Sequence, residues 1–185
     1  MGSVFCLLES ILKTILRSMN PRCRTRCEDM LRMTAESFPE IHSPGMRFIA
    51  RVFRLRDLIF ENAQREMSRF ELSPVEYSVL ATLRKTPSPH ALRPSDIYKG
   101  MLITSGGLTK VLKGLEQRGL LLREDDDTDR RGSRVRLTPA GIELIEVAMK
   151  TVIGSDIAML QRVASPEQLD ALAEALQPFT ENLDL

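Results

Sequence analysis

The chain has 185 residues, of which 43% are hydrophobic and 28% are charged. This length suffices for one medium domain or two small ones, and the composition is typical of a soluble globular protein, which excludes a disordered or fibrous chain. The formal net charge of +1, taken by itself, argues against nucleic-acid binding, because phosphate recognition usually requires an excess of basic residues.

The basic residues are unevenly distributed along the chain. Residues 73–139 contain twelve Lys and Arg against eight Asp and Glu, a net charge of +4, whereas residues 140–185 contain two against eight, a net charge of −6. Residues 1–45 and 46–72 have net charges of +1 and +2. Such asymmetry is expected when one part of a chain faces an anion and another part does not.

The first 42 residues are predicted to form a poorly ordered or partly helical extension. Their longest apolar stretch, residues 4–16, contains Glu9 and Lys13 and is too short to span a membrane. We therefore expect a soluble, cytoplasmic protein without a membrane partner. Met30 and Met33 are alternative start positions, which leaves open whether residues 1–29 belong to the working protein.

All three cysteines, Cys6, Cys23 and Cys27, lie in this extension. The remaining chain therefore has no disulfide framework, as expected in a reducing compartment. Two thiols at the spacing of Cys23 and Cys27, without a second pair nearby, are a weak signal for a metal. No metal site is predicted, and the role of the cysteines stays open.

Three helices are predicted between residues 43 and 100. After a break at residues 43–45, apolar residues recur at helical spacing on one face of a long helix; they are Phe48, Val52, Leu55, Ile59, Met67 and Phe70. Residues 73–76 have the sequence of a capping box and predict a helix over 74–85. A short third helix is predicted over 94–100, with Ser95 at its cap.

The next helix has two unlike faces. Its apolar side holds Leu108, Val111, Leu112 and Leu115, and its other side holds Ser105, Thr109, Lys110 and Lys113. Gly106 and Gly107 in its first turn each cost about 1 kcal/mol against Ala, yet they allow another surface to approach the backbone closely. This pattern suits a helix that enters a groove. Periodicity alone leaves an ordinary amphipathic surface helix equally open.

A charged hairpin follows directly. Residues 120–123 and 134–137 read as two short strands, separated by a turn over 125–133 with residues 129–132 at its tip. Helix, turn, helix and hairpin in this order predict a winged helix-turn-helix, a mostly α fold with a small β-hairpin wing. The acidic run 125–127 is placed at the base of the wing, with Asp129 orienting an arginine; a solvated acidic turn is the alternative.

Two further helices end the chain. Thr138 and Pro139 begin a long helix with apolar positions at Ile142, Ile145, Ala148, Val152 and Met159. Residues 165–168 begin the last helix, in which Leu169, Leu172, Leu176 and Phe179 form a stripe. Apolar stripes without a partner sheet need a further surface to cover them.

Several separated blocks resemble the MarR family of bacterial transcriptional regulators. They are residues 102–109, 115–120, 129–132 and 135–141, and the resemblance covers about residues 46–183. It implies a homodimer that binds a pseudo-palindromic duplex DNA operator and is released by a small, often aromatic or phenolic, effector. It also implies helical dimerisation regions at 43–72 and 139–185 and a winged helix-turn-helix domain at 73–138.

The resemblance also indicates the DNA-binding residues. The candidates are Ser95, Thr104, Ser105, Gly106, Thr109, Lys110, Lys113, Arg130 and Arg131, with Asp129 as the residue that orients the wing. Family members that sense urate use a Trp, an Asp and an Arg, whereas this chain has no Trp and has Ser78 and Val111 at the matching positions. Members that sense peroxide use a cysteine that is missing from this domain. Neither sensing chemistry is expected, and the residues that bind the effector stay unknown.

The function that the resemblance implies is a ligand-responsive transcriptional regulator, a repressor, with no enzymatic activity and no cofactor. His42 and His90 lie in Pro-bounded loops, and no catalytic arrangement of Ser, His and Asp can be built around them. The alternative is a winged-helix module for protein contacts. A cationic face on the helix favours DNA, whereas an apolar face would favour a protein.

Overall fold

The computed structural model describes residues 26–99, 105–126 and 129–183; of residues 105, 125–126, 129–132 and 183 it describes the backbone. Seven helices and three strands follow one another in these ranges. They are α1 (Cys27–Ser37), α2 (Pro44–Ser68), α3 (Pro74–Lys85), β1 (Ala91–Leu92), α4 (Pro94–Lys99), α5 (Ser105–Gln117), β2 (Leu121–Asp126), β3 (Asp129–Leu137), α6 (Pro139–Leu160) and α7 (Pro166–Leu183). Within the described part of the chain, every helix is too short or too polar to cross a lipid bilayer.

The chain divides into two compact units, residues 1–61 and 62–185, with the boundary inside α2. In the described part of the first unit, α1 buries Leu31 and α2 buries Ala50, and Arg51 Nη2 lies 2.9 Å from Glu28 Oε1. Much of the predicted apolar face of α2 is exposed in this unit. The exposed residues of that face are Phe48, Val52 and Leu55, and Ile49, Phe53, Leu58 and Phe60 elsewhere on α2 are exposed as well.

The second unit has a single main core. Leucine, isoleucine and valine side chains from α3, α4, α5, α6 and the sheet bury one another completely; the largest are Val79, Leu80, Leu83, Ile97, Leu115, Val135, Leu137 and Ile145. A smaller cluster joins Ala63 and Met67 of α2 to Val152 of α6. Asn62, also of α2, is the buried polar residue of the described chain.

Hydroxyl caps begin three of these helices where the sequence predicts them. Ser73 Oγ accepts from Glu76 N at 3.3 Å, and Glu76 Oε2 accepts from Ser73 N at 2.8 Å, which completes the capping box of α3. Thr138 Oγ1 accepts from Gly141 N at the start of α6. At α7, Ser165 Oγ accepts from Gln168 N. All three predicted starts are confirmed.

The end of α2 differs from the prediction. The helix stops at Ser68, so Phe70, which the apolar pattern placed on it, lies in the following turn. There Glu71 has a φ of 54° and reverses the chain before α3. Phe70 still packs against the main core, because the turn returns it to the same side.

The three strands form an antiparallel sheet in the order β1-β3-β2. Leu121 faces Leu137 at the base of the β2–β3 hairpin, which we call the wing, and Asp126 faces Asp129 at its far end. The prediction that residues 129–132 form the tip of a long turn is therefore wrong, since β3 begins at Asp129. The connecting residues 127–128 lie outside the described residues.

The acidic residues of the wing also lie elsewhere than expected. Asp125 and Asp126 belong to β2 and face Ser133 and Asp129 of β3. The acidic run 125–127 therefore starts near the far end of the wing and not at its base. Antiparallel strands pair through main-chain hydrogen bonds. Charged residues can therefore continue a strand at positions where their side chains suggest a turn. The register shifts between Asp125 and Asp126.

Candidate nucleic-acid interface

Helix α5 presents one exposed face, as its sequence predicts. Leu108, Leu112 and Leu115 are buried in the core with 3%, 2% and 0% exposure. Among the residues exposed on the opposite side, we call these four the reading face: Gly106, Thr109, Lys110 and Lys113. For the described side chains, the predicted division of α5 into a core side and a small, hydroxylic and cationic side is confirmed; for Ser105 it stays a prediction.

The start of α5 has open space around its backbone at Gly106. A Cβ built on Gly106 would meet no atom of the described residues within 4 Å, so packing against those residues does not require a glycine there. Ser105 is the first residue of α5, and its side chain is not described. Thr104 lies outside the described residues. The open position at Gly106 allows an external surface to approach the helix backbone.

The lysines of the reading face differ from the arginines near the wing. Neither Lys110 nor Lys113 forms an ion pair with a side chain that the structure describes. Three arginines of the wing, in contrast, are bound within the chain: Arg123 Nε to Glu116 Oε2 at 3.4 Å, Arg134 Nη2 to the Ala91 carbonyl at 2.9 Å, and Arg136 Nε to Glu124 Oε1 at 2.6 Å. The basic excess of this segment is therefore partly used in holding the wing together.

The predicted DNA-binding residues of the wing lie on β3. Asp129, Arg130 and Arg131 belong to the described backbone, but their side chains are not described. The structure brings this end of β3 next to the end of β2 through the pair Asp126 and Asp129. The roles of Arg130 and Arg131 in DNA binding, and of Asp129 in orienting the wing, stay predictions.

Ser95 is exposed in the first turn of α4, but it does not cap that helix. The N–H groups of Asp96 and Ile97 donate to the Arg93 carbonyl at 2.9 and 3.2 Å, and α4 begins at Pro94. The prediction that Ser95 is the cap is wrong, because proline with its fixed φ takes the first helical position. The role of Ser95 in DNA binding stays a prediction.

One ion pair near the site was not predicted. Arg118, the residue after α5, donates from Nη1 to Glu76 Oε1 at 3.3 Å and to the Glu71 carbonyl at 3.0 Å. Burial raises the pKa of the Glu76 carboxyl, but hydrogen bonds from the Ser73 side chain and backbone, together with Arg118, outweigh this and leave that pKa below its ordinary value. Glu76 and Arg118 are 42 residues apart, so no local sequence pattern indicates their contact.

Of the three cysteines, Cys6 and Cys23 lie outside the described residues. Cys27 is the half-buried first residue of α1. Burial, and then the charge of Glu28, raise the pKa of its thiol, although Arg51 and Arg54 oppose the rise. A raised pKa lowers the thiolate fraction and with it the reactivity of the thiol.

Comparison with known proteins matches this winged segment to one family. A sequence model of the MarR family matches residues 70–132. The HTH-type transcriptional regulator PecS of Dickeya dadantii is 29% identical over 140 residues, which cover 76% of this chain and 84% of PecS. The uncharacterized HTH-type transcriptional regulator YkoM of Bacillus subtilis is 30% identical over 131 residues, which cover 71% of this chain and 80% of YkoM. The chain belongs to the MarR family.

Solved structures share the fold of this MarR-family chain. Apo wild-type MarR from E. coli has a TM-score of 0.62 at 20% identity and covers 69% of this chain and 93% of its own. Sco3205, a MarR family transcriptional regulator from Streptomyces coelicolor in complex with DNA, has a TM-score of 0.63 at 24% identity. The match covers 77% of this chain and 90% of Sco3205. The predicted fold, mostly helical with a small β wing, is confirmed. The relatives PecS and YkoM are named as regulators and not as enzymes.

Proposed function

We propose that this MarR-family protein is a ligand-responsive transcriptional regulator that represses its target genes. As a homodimer it binds a pseudo-palindromic operator, with α5 in the major groove and the wing in the adjacent minor groove. The observation that carries this proposal is the reading face, which is exposed and opposite the buried leucines of α5.

The chemistry of the reading face suits duplex DNA. Lys110 and Lys113 are exposed cations that no described side chain neutralises, and cations of this kind attract phosphate or donate to the acceptor edge of guanine. Thr109 adds a hydroxyl, which bonds to bases or to phosphate. Gly106 leaves the first turn narrow, so the backbone of α5 can come close to a groove wall.

Support for a homodimer comes from apolar residues that the single chain leaves exposed. Val147, Ile153 and Ile157 of α6 are 51%, 50% and 46% exposed, and Leu172 of α7 is 57% exposed. Large apolar surfaces of this kind are normally covered in a stable protein. A two-fold dimer built on them would place two copies of α5 about one turn of DNA apart, roughly 34 Å.

The effector part of the proposal rests on the family alone. Members of the family are usually released from DNA by small aromatic or phenolic compounds, and nothing in the described residues identifies the pocket. A thermal-shift screen of phenolic and other aromatic acids, followed by DNA release assays with the hits, tests this part. If no compound shifts the melting temperature or releases DNA, the effector part is rejected while DNA binding stands.

A winged-helix module for protein contacts is the second candidate. It would require an exposed apolar surface on α5. The reading face has no such surface, since its members are one glycine, one threonine and two lysines. The cationic reading face therefore favours DNA over a protein partner.

The deciding experiment is a gel-shift titration with DNA fragments that flank the gene of this protein. We expect a specific complex at low salt, and Lys113→Ala should weaken it while lowering the slope of log affinity against log salt by about 1. Lys150→Ala removes the same charge from an exposed position on α6 and should leave both quantities unchanged. Arg131→Ala tests the wing in the same assay. If no fragment gives a specific complex with the wild type, DNA regulation is rejected.

A further inference from the structure

The C-terminal end of α5 is fixed by a glycine cap. Gly119 has a φ of 70°, its N–H donates to the Glu116 carbonyl at 2.9 Å, and the Leu120 N–H donates to the Leu115 carbonyl at 3.0 Å. This pair of bonds is a Schellman motif, which ends a helix at a defined residue. The last residue before Gly119 is Arg118, so the cap also fixes where the Arg118 side chain starts.

The Arg118 guanidinium points back into the protein. Nη1 donates to the Glu71 carbonyl at 3.0 Å and to Glu76 Oε1 at 3.3 Å, and the Arg118 side chain is 33% exposed. Glu71 carries the positive φ of 54° that reverses the chain between α2 and α3. Arg118 thus holds the turn that leads into α3.

The two carboxylate oxygens of Glu76 accept hydrogen bonds from two different parts of the chain. Oε2 accepts from Ser73 N at 2.8 Å and from Ser73 Oγ at 2.6 Å, which caps α3. Oε1 accepts from Arg118, which belongs to the end of α5. The Glu76 side chain is 21% exposed, so solvent only partly screens the attraction between its carboxylate and the Arg118 guanidinium. One carboxylate therefore connects the start of α3 to the end of α5.

We propose that Arg118 is a positioning residue that sets the angle of α5 against α3 and does not contact DNA phosphate. This inference rests on the proposed function. An arginine at the end of a DNA-reading helix would ordinarily be assigned to phosphate, but Arg118 Nη1 donates to both Glu71 and Glu76 and so holds the guanidinium against the protein. Arg118 acts on DNA binding only through the orientation of the reading face.

The length of α5 makes its angle important. A helix of 13 residues is about 20 Å long, so a tilt of about 10° around its C-terminal end displaces its first residue by about 3 Å. That distance is comparable to the length of a hydrogen bond to a base. Leu108, Leu112 and Leu115 hold α5 in the core, and variants at Arg118 are therefore expected to fold.

The test compares Arg118→Ala, Arg118→Lys and Glu76→Gln with the wild type on two duplexes of equal length. One is the flanking fragment that the wild type shifts, and the other has an unrelated sequence. We expect Arg118→Ala to lower specific affinity by about tenfold, with unchanged non-specific affinity and an unchanged salt slope. Arg118→Lys should restore part of the loss. Glu76→Gln should act in the same direction, and the double variant Glu76→Gln with Arg118→Ala should lose no more than Arg118→Ala alone.

Ser73→Ala is the matched control, because it weakens the cap of α3 and keeps the bond between Glu76 and Arg118. It should leave the ratio of specific to non-specific affinity unchanged. A phosphate contact would give another pattern: Arg118→Ala would weaken binding to both duplexes equally and lower the salt slope by about 1. That pattern, or additive losses in the double variant, would overturn the positioning role.

A readout without DNA separates this inference from the proposed function. Amide hydrogen exchange at residues 116–120 should be faster in Arg118→Ala than in the wild type or in Ser73→Ala, since the end of α5 is less restrained. If the wild type forms no specific complex, the proposed function fails, and amide hydrogen exchange alone then tests the positioning role of Arg118. Unchanged exchange in Arg118→Ala would then reject the positioning role.

Discussion

Thr138 Oγ1 donates a hydrogen bond of 2.7 Å to the carbonyl oxygen of Gly119. The same hydroxyl oxygen accepts from Gly141 N at 3.0 Å, so one side chain caps α6 and closes the end of α5. The Thr138 N–H adds a bond of 3.1 Å to the Leu120 carbonyl. The helix that carries the reading face is thereby attached directly to the start of the long helix α6, on which the proposed dimer depends.

This junction predicts a severe effect of a small substitution at Gly141. A Cβ at that position would lie 2.1 Å from the Leu120 carbonyl oxygen, a backbone atom that cannot move without displacing the end of α5. We expect Gly141→Ala to lower the free energy of unfolding by about 1–3 kcal/mol or more, since this is the usual cost of overpacking. Urea unfolding at one fixed protein concentration measures this change.

Gly114→Ala is the control for Gly141→Ala. Gly114 lies inside α5, and a Cβ there would meet no atom within 4 Å, so alanine should stabilise the protein by up to about 1 kcal/mol. Equal stability of Gly141→Ala and the wild type would show that the contact between α6 and Leu120 is not rigid.

The sequence predicts helix starts well because their signals are local. Ser73, Thr138 and Ser165 each stand immediately before a proline, and each caps a helix in the structure. The division of α5 into buried and exposed sides was equally accessible, since it follows from a period of 3.6 residues. These features depend on residues only a few positions apart.

Features that depend on distant partners were missed or misplaced. β1 has two residues and exists through its pairing with β3, more than 40 positions later. The wing strands extend into residues such as Asp125 and Asp126, whose charge suggested a turn, because pairing with β3 satisfies their backbone. The Arg118 guanidinium bonds to Glu71 and Glu76, which are 47 and 42 positions earlier in the chain. The sequence therefore indicates where the reading face is, but not what orients it.

A second prediction concerns the buried amide of Asn62, which is 8% exposed. Its Nδ2 donates to Ser155 Oγ at 3.0 Å and to Asp156 Oδ1 at 2.8 Å, and its Oδ1 accepts from Arg65. Asn62→Leu removes the partner of a charged group, and we expect a loss of about 1–3 kcal/mol in the free energy of unfolding. Urea unfolding tests this value.

The control for Asn62→Leu is Gln64→Leu, which replaces an exposed amide on the same helix and should change stability by less than about 0.5 kcal/mol. Asn62→Asp should be more damaging than Asn62→Leu, because it places a second carboxylate beside Asp156. Adding Asp156→Asn should recover part of that loss. If Asn62→Leu is as stable as the wild type, the network contributes nothing to stability.

A third prediction follows from the lowered pKa of Glu76. A carboxyl whose pKa is lower in the folded state stabilises the fold fully above its unfolded-state pKa, and this contribution disappears as the pH falls through the folded-state pKa. We therefore expect Glu76→Gln to be less stable than the wild type at pH 7, and the difference between the two proteins to shrink as the pH falls toward 3. Urea titrations across this range measure it.

Glu174→Gln serves as the control for the pH experiment, because it removes one negative charge from an exposed position on α7. Its stability should run parallel to that of the wild type at every pH. A constant difference between Glu76→Gln and the wild type from pH 7 to pH 3 would contradict the assignment of the pH dependence to Glu76.

The fourth prediction separates stability from DNA binding at Gly106. Among the described residues this glycine only lowers helix propensity, since a Cβ there would meet none of their atoms within 4 Å. Gly106→Ala should therefore raise the free energy of unfolding by up to about 1 kcal/mol. On the proposed function the same methyl group would lie between α5 and the wall of the major groove, so specific DNA affinity should fall although the protein is more stable.

Gly114→Ala makes the comparison decisive because it adds the same methyl group to the same helix. Gly114 lies eight residues later, about 12 Å farther from the start of α5, where recognition helices make fewer base contacts. Gly114→Ala should raise the free energy of unfolding by the same amount as Gly106→Ala and keep specific DNA affinity close to that of the wild type. Urea unfolding and gel-shift titration of the two variants, side by side, measure both quantities. If Gly106→Ala binds as tightly as Gly114→Ala, the first turn of α5 does not approach DNA closely, and the missing side chain at Gly106 has another cause.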